Sequence, residues 1–173
     1  LGGVGLNALL GAKVAGATKI VAIDMNEDKF DIATELGATS TQKATDPNVI
    51  ENVKEYTSGG VDYSLEMAGS VKAMELAYRI TKRGGTTVTA GLPHPDHRWE
   101  LQHTNLTAEE RTVKGSYMGS CIPNRDVKKY IELYKSGLLN VNKLLSSKIK
   151  LEKINEAFDK LDAGKTIRQI ITF

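Results

Sequence analysis

The sequence predicts an α/β fold, a doubly wound parallel sheet with helices on both faces. Two observations predict it. From residue 4 to residue 91 the segments run helix, strand, helix, strand, helix, strand, helix, strand. That alternation belongs to parallel strands joined by crossover helices. The first helix also opens on a glycine-rich turn, Leu1-Gly2-Gly3-Val4-Gly5, and the strand after it, Lys19 to Asp24, ends on an acid. Nineteen residues separate Gly5 from Asp24, close to the ~20 between a dinucleotide-binding turn and its ribose-binding acid.

Each part of that opening stretch has a job. Gly2 and Gly3 let backbone approach a pyrophosphate, and Gly5 lets the helix pack closely on the sheet. The helix N-terminus offers unpaired N–H groups and a positive dipole end. Asp24 accepts hydrogen bonds from ribose hydroxyls. Gly3-Val4-Gly5-Leu6-Asn7-Ala8 also fits G-x-G-x-x-A. The complete pattern needs one more glycine and a strand before Leu1, so a strand is expected upstream. An ordinary βα turn with packing glycines is the competing reading. Helix, strand and acid at this spacing favour the nucleotide turn.

The elements follow in order. Val4 to Ala15 is a helix of small and aliphatic residues, with Gly16 as its C-cap. Lys19–Asp24 is a buried strand. Asn26 caps the next helix, whose inner stripe is Phe30, Ala33 and Leu36, and Gly37 stops it. A weak strand lies around Ser40, and a helix at Asn48–Tyr56 carries Val49, Ile50 and Val53. Val61–Glu66 is a strand with Val61, Tyr63 and Leu65 alternating, and Met67-Ala68-Gly69 lies at its carboxyl end. Ser70 caps a helix with Val71, Met74, Ala77 and Ile80 at helical spacing. Gly84-Gly85 is expected to end it, before a buried strand at Thr86–Gly91. After the turn-rich loop Pro93–His97, short strands are expected at Trp99–His103 and Arg111–Tyr117. Asn124–Ser136 is an amphipathic helix. A strand near Ile149, a helix at Leu151–Leu161 and a last strand at Arg168–Phe173 close the chain.

Composition narrows the function classes. The chain has 173 residues, 40% hydrophobic and 25% charged, as in globular proteins. A net charge of +2 gives no electrostatic case for nucleic acid or a membrane surface. Cys121 is the only cysteine, so the chain can form no internal disulfide and no cysteine-rich zinc site. This points to a cytoplasmic setting. No run reaches the ~18 apolar residues of a membrane helix. His94, His97 and His103 do not have the spacing of a helical metal pair and read as solvated loop histidines. Cys121 reads as a small half-buried residue. Asp62 and Glu66 share a strand face and are expected to meet solvent or a loop. Lys143, Lys148, Lys150 and Lys153 read as a solvated face.

Four stretches resemble the coenzyme half of medium-chain, zinc-dependent alcohol dehydrogenases: LGGVGLNALLGAKVAGATKIVAIDMNEDKF, GGVDYSLEMAGSVKAMELA, RTVKGSYMGS and INEAFDKLDAGKTIRQIITF. The last is the most diagnostic, a helix with AF…L..GK.IR leading into a closing strand. The resemblance implies a Rossmann domain over 1–118 that lacks its first strand. It also implies a segment over 119–173 belonging to a GroES-like catalytic domain whose remainder lies outside the chain. It implies an NAD site: Gly2, Gly3 and Val4 at the pyrophosphate turn, Asp24 and Lys29 at the adenosine ribose, and Met25 beside the adenine. Met67 and Ala68 would line the cleft. Ala90, Gly91 and Leu92 would lie beside the nicotinamide, Ser116 and Met118 would offer backbone to its carboxamide, and Arg168 would reach the pyrophosphate. No catalytic or metal-binding residue is implied in this chain, since the family's zinc ligands lie elsewhere.

The resulting expectation is an alcohol–aldehyde or alcohol–ketone hydride transfer in which this half binds and orients NAD. Zinc would be held by residues outside the chain. The alternatives are a zinc-free quinone or enoyl reductase of the same superfamily, and a non-catalytic nucleotide-binding module. The partners expected are a small alcohol or aldehyde substrate and a second copy, giving a dimer or tetramer through Trp99–His103. The missing strand belongs between Lys19–Asp24 and Val61–Glu66 in the order 3-2-1-4-5-6. Without it the sheet is expected to be split, and the chain alone is expected not to fold autonomously and to turn over no alcohol.

Overall fold

The computed structural model describes residues 1–173. Helix α1 (Gly3–Val14) is followed by strand β1 (Val21–Asp24), α2 (Phe30–Leu36), β2 (Ser40–Lys43) and α3 (Val49–Thr57). Then come β3 (Val61–Glu66), α4 (Val71–Ile80), β4 (Thr81–Thr89), α5 (His103–Ala108) and β5 (Thr112–Gly115). Helix α6 (Pro123–Lys135), β6 (Leu145–Ile149), α7 (Ile154–Asp162) and β7 (Arg168–Ile171) complete the chain. Ser70 caps α4, accepting from the Ala73 N–H at 3.1 Å, whereas Asn26 accepts from the Asp28 N–H at 3.0 Å at the start of a 3-10 turn, Glu27–Lys29, and α2 itself has no side-chain cap.

Every strand pair is parallel. The strands form three groups, β1-β2, β3-β4-β5 and β6-β7. The pairing of β1 with β2 and of β3 with β4 leaves β1 and β3 unpaired with each other. That is the split expected from the sequence. The order β2-β1, then β3-β4-β5, is the doubly wound order interrupted at its middle.

The largest apolar cluster joins Leu6, Leu9 and Leu10 of α1 to Ala22 of β1, Ala33 and Leu36 of α2, and Leu144. Leu139 and Ile167 pack against it, so the C-terminal segment is tied to the same core as the glycine-rich helix. A second cluster holds Val49, Val53 and Ile80 together between α3 and α4.

Four expectations are corrected. Gly84-Gly85 does not end α4; the chain turns extended at Thr81, directly after Ile80. The glycines instead lie inside β4, where the register with β3 shifts between Val61↔Thr81 and Tyr63↔Thr86. Gly84 has φ +69 there, the left-handed conformation a bulge needs. In β3 the burial is the reverse of the apolar alternation: Tyr63 and Leu65 are exposed, while Ser64 and Glu66 are buried. Hydrogen bonds explain it. Ser64 Oγ lies 2.8 Å from Thr81 Oγ1, which lies 2.9 Å from Thr87 Oγ1 and donates to the Ala77 carbonyl at 2.7 Å. A closed hydroxyl chain removes most of the cost of burying these groups. Trp99–His103 forms no strand. Trp99 packs edge-on against Tyr78 at 5.5 Å, and His103 begins α5. Finally, β5 is shorter than expected: it spans Thr112–Gly115, and a 3-10 turn at Tyr117–Ser120 follows.

Candidate nucleotide-binding site

The predicted site residues gather at the carboxyl ends of β1, β3, β4 and β5, where open α/β sheets bind ligands. At the first of these ends, the Asp24 side chain lies beside Leu1, the residue before the glycine pair. Its Oδ1 accepts from the Asn26 N–H at 2.8 Å. The acid therefore touches the start of the glycine turn. Gly2 precedes α1 in extended conformation, no side chain caps the helix, and its first turn has no acidic residue. The first N–H groups of α1 are left without intrahelical partners, and nothing stands within 4 Å of where a Gly2 Cβ would be. Bare backbone, free donors and a positive helix end fit an anionic diphosphate.

Arg168 comes from the far end of the chain to the same place. A Cβ on Gly3 would run into its guanidinium, the nearest group to that position. Arg168 Nη1 donates to the Ile167 carbonyl at 2.9 Å. The remaining N–H groups of its planar fork suit phosphate oxygens. Lys29 donates to the Gly164 carbonyl on the loop before β7, so the C-terminal segment reaches Gly3 through Arg168 and meets Lys29 through Gly164. Val4, Met25 and Leu92 are exposed.

The ends of β3 and β4 form the next part of the cleft. A Cβ on Gly5 would lie 3.9 Å from the Met67 Cβ, which puts Met67 beside the glycine turn. Gly69, at φ +69, passes so close to Leu92 that a Cβ would lie 2.9 Å from the Leu92 nitrogen. A Cβ on Gly91 would lie 2.6 Å from the Gly69 Cα and 2.7 Å from Glu66 Oε2. Thus the two loops, Met67–Gly69 and Ala90–Leu92, touch backbone to backbone. Ala68 is exposed and Ala90 half-buried on these loops.

Ser116 donates its backbone N–H to the Thr89 carbonyl at 2.8 Å, which holds the start of the next turn against β4. Within that turn Met118 and Ser120 have φ of 48° and 52°. Two non-glycine residues in left-handed geometry so close together store strain of the sort that collects at ligand sites. Met118 is exposed, and Ser116 Oγ lies 3.2 Å from Ser120 Oγ.

Sequence reasoning missed Glu66. It was expected to meet solvent or a loop, and it is 3% exposed. It meets the loop through Oε1, which accepts from the Ala68 and Gly69 N–H groups, while Oε2 accepts from the Thr89 hydroxyl at the end of β4. The available signal was an acid ending a strand three residues before a glycine, followed by a capping serine. The histidines are exposed as expected. No group of three or more His, Cys, Asp or Glu side chains is placed to hold a metal ion. Cys121 is half-buried and free. No helix is long and apolar enough to cross a membrane.

Residues 3–136 match the model of the zinc-binding dehydrogenase family. Alcohol dehydrogenase 1 of Zea mays is 38% identical over 174 residues, covering 99% of this chain and 46% of that protein. Among solved structures, benzyl alcohol dehydrogenase of Acinetobacter calcoaceticus superposes with a TM-score of 0.94 at 30% identity, covering 98% of this chain and 47% of that one. A Sinorhizobium meliloti protein described as a zinc-binding dehydrogenase, bound to NADP, superposes with a TM-score of 0.89 at 25% identity, over 99% of this chain and 50% of that one. The chain spans about half the length of the curated relatives it matches. A doubly wound sheet, a glycine turn answered by Asp24, and a family model covering most of the sequence all point one way: the chain belongs to the zinc-binding dehydrogenase family, as its Rossmann half.

Proposed function

We propose that this chain binds and orients NAD in an alcohol dehydrogenase whose zinc is held by residues beyond those described here. The observation that carries the reading is the meeting of three separate parts of the sequence at one place. Asp24 touches the start of the glycine turn, and Arg168 lies over Gly3. In that arrangement Asp24 holds the adenosine ribose, with Met25 beside the adenine and Lys29 near the same ribose. Gly2, Gly3, Val4 and Arg168 hold the pyrophosphate. Met67, Ala68, Ala90, Gly91, Leu92, Ser116 and Met118 line the nicotinamide end. Zinc, when bound, polarises the oxygen of the alcohol or carbonyl. The residues of this chain set the position of the nicotinamide ring.

NAD is preferred over NADP, because the Asp24 carboxylate repels a 2′-phosphate. Met25-Asn26 follows it, with no arginine to offset the repulsion. The NADP-bound relative makes the contrast worth measuring. Titration of the complete protein with both coenzymes tests it. The wild type is expected to favour NAD, and Asp24→Gly to narrow the gap. A wild type that binds NADP as well as NAD contradicts the role given to Asp24. The complete protein is further proposed to be a cytoplasmic homo-oligomer joined through Trp99–His103, which forms no internal strand pair. A monomer in light scattering rejects that part.

A further inference from the structure

We propose that Glu66 is a positioning residue whose buried carboxylate curls the loop after β3 into backbone contact with the loop after β4, at the nicotinamide end of the cleft. The inference rests on the coenzyme reading above. Glu66 Oε1 accepts from the Ala68 N–H at 2.7 Å and the Gly69 N–H at 2.6 Å. Glu66 Oε2 accepts from the Thr89 hydroxyl at 2.7 Å. Its own carbonyl accepts from the Ala90 and Gly91 N–H groups at 2.9 and 3.2 Å. One residue thus bonds both loops, by its side chain to the first and by its backbone to the second.

A carboxylate is costly to bury. A hydrophobic residue ending the strand would pack at less cost, but it would leave the Ala68 and Gly69 donors unanswered. Oxygen at this point does what carbon cannot. It curls the loop after β3 tightly enough that Gly69 meets Gly91, where a single added methyl group would collide at 2.6 Å. Backbone then meets backbone where the two loops join. Release of the clamp lets them separate and moves the surface against which a nicotinamide ring rests. The adenosine end, at Asp24 on the other sheet, has no bond to this clamp.

The test compares NADH with AMP, which occupies only the adenosine end, in equilibrium titrations of the complete protein. Glu66→Ala is expected to weaken NADH binding by about thirtyfold or more, the scale of two backbone donors left unpaired. AMP affinity should stay within about twofold, because its contacts are distant and independent. Glu66→Gln is expected to restore NADH binding. Its carbonyl still accepts from both N–H groups, and its amide donates to the Thr89 oxygen. Should Glu66→Ala fail to fold, Thr89→Val removes one donor alone and is expected to show a smaller loss with the same selectivity for NADH. Equal losses for NADH and AMP, or no loss for NADH, overturn the clamp. A wild type that binds neither nucleotide overturns the coenzyme reading itself, and the clamp with it.

Discussion

Replacing Gly3 by alanine should separate stability from coenzyme affinity. The added Cβ collides with the Arg168 guanidinium, and the three nearest atoms to it all belong to that group. A guanidinium is the far end of a flexible side chain, so the clash is relieved by swinging Arg168 away, not by moving backbone. Gly3 is the first residue of α1. Alanine there helps the helix by up to ~1 kcal/mol, and the fold should be unharmed or slightly more stable. The displaced arginine, however, can no longer meet the pyrophosphate. A hydrogen bond to a charged group contributes ~1.5–3 kcal/mol, which is ~10–150-fold in affinity. NADH titration and urea unfolding of the complete protein measure the two quantities separately. Arg168→Ala should lose the same affinity, and the double variant Gly3→Ala with Arg168→Ala should lose little more than either alone, because both remove one contact. Wild-type affinity in Gly3→Ala, or losses that add, refutes the placement of Arg168 on the phosphates.

Leu6 is fully buried at the centre of the main cluster, so Leu6→Ala should destabilise the protein by ~2–5 kcal/mol, read as a lowered urea midpoint. A change below 1 kcal/mol, on the scale of exposed sites, contradicts the packing of α1 on β1 and α2. At the start of α6, Arg125 and the Ile122 N–H hold the Asp126 carboxyl down from 3.8 to about 2. A lowered carboxyl contributes stability above its unfolded value and loses it as pH falls through its folded one. Asp126→Asn should therefore cost stability at neutral pH, and the gap to wild type should close between about pH 4 and pH 2. A gap that is constant with pH contradicts it.

The sequence was most legible where one rule acted alone. The apolar stripe of α2, the serine cap of α4 and the 19-residue interval from Gly5 to Asp24 all lie where local chemistry puts them. It was least legible where two rules competed. In β3 Tyr63 and Leu65 alternate with Ser64 and Glu66, but it is Ser64, held by the Thr81 hydroxyl, and Glu66, held by the Ala68 and Gly69 N–H groups and the Thr89 hydroxyl, that turn inward. Gly84-Gly85 carried a stop signal that a register shift reused as a bulge. Trp99 looked like an edge strand, and an aromatic contact with Tyr78 took it out of extended pairing. The Asp24 end of the proposed site follows from a motif that spans it locally. The Arg168 contact links residues at opposite ends of the chain, and only a family resemblance pointed to it.

A crystal structure of the complete protein grown with NAD tests the central claim most directly. The coenzyme should lie across the carboxyl ends of β1 and β3. Its adenosine ribose hydroxyls should bond to Asp24, its pyrophosphate should sit at the first turn of α1 under Arg168, and its nicotinamide should rest on the loops at Gly69 and Gly91. A further parallel strand should fill the interval between β1 and β3. A dinucleotide bound elsewhere, or β1 hydrogen-bonded directly to β3, would contradict the account.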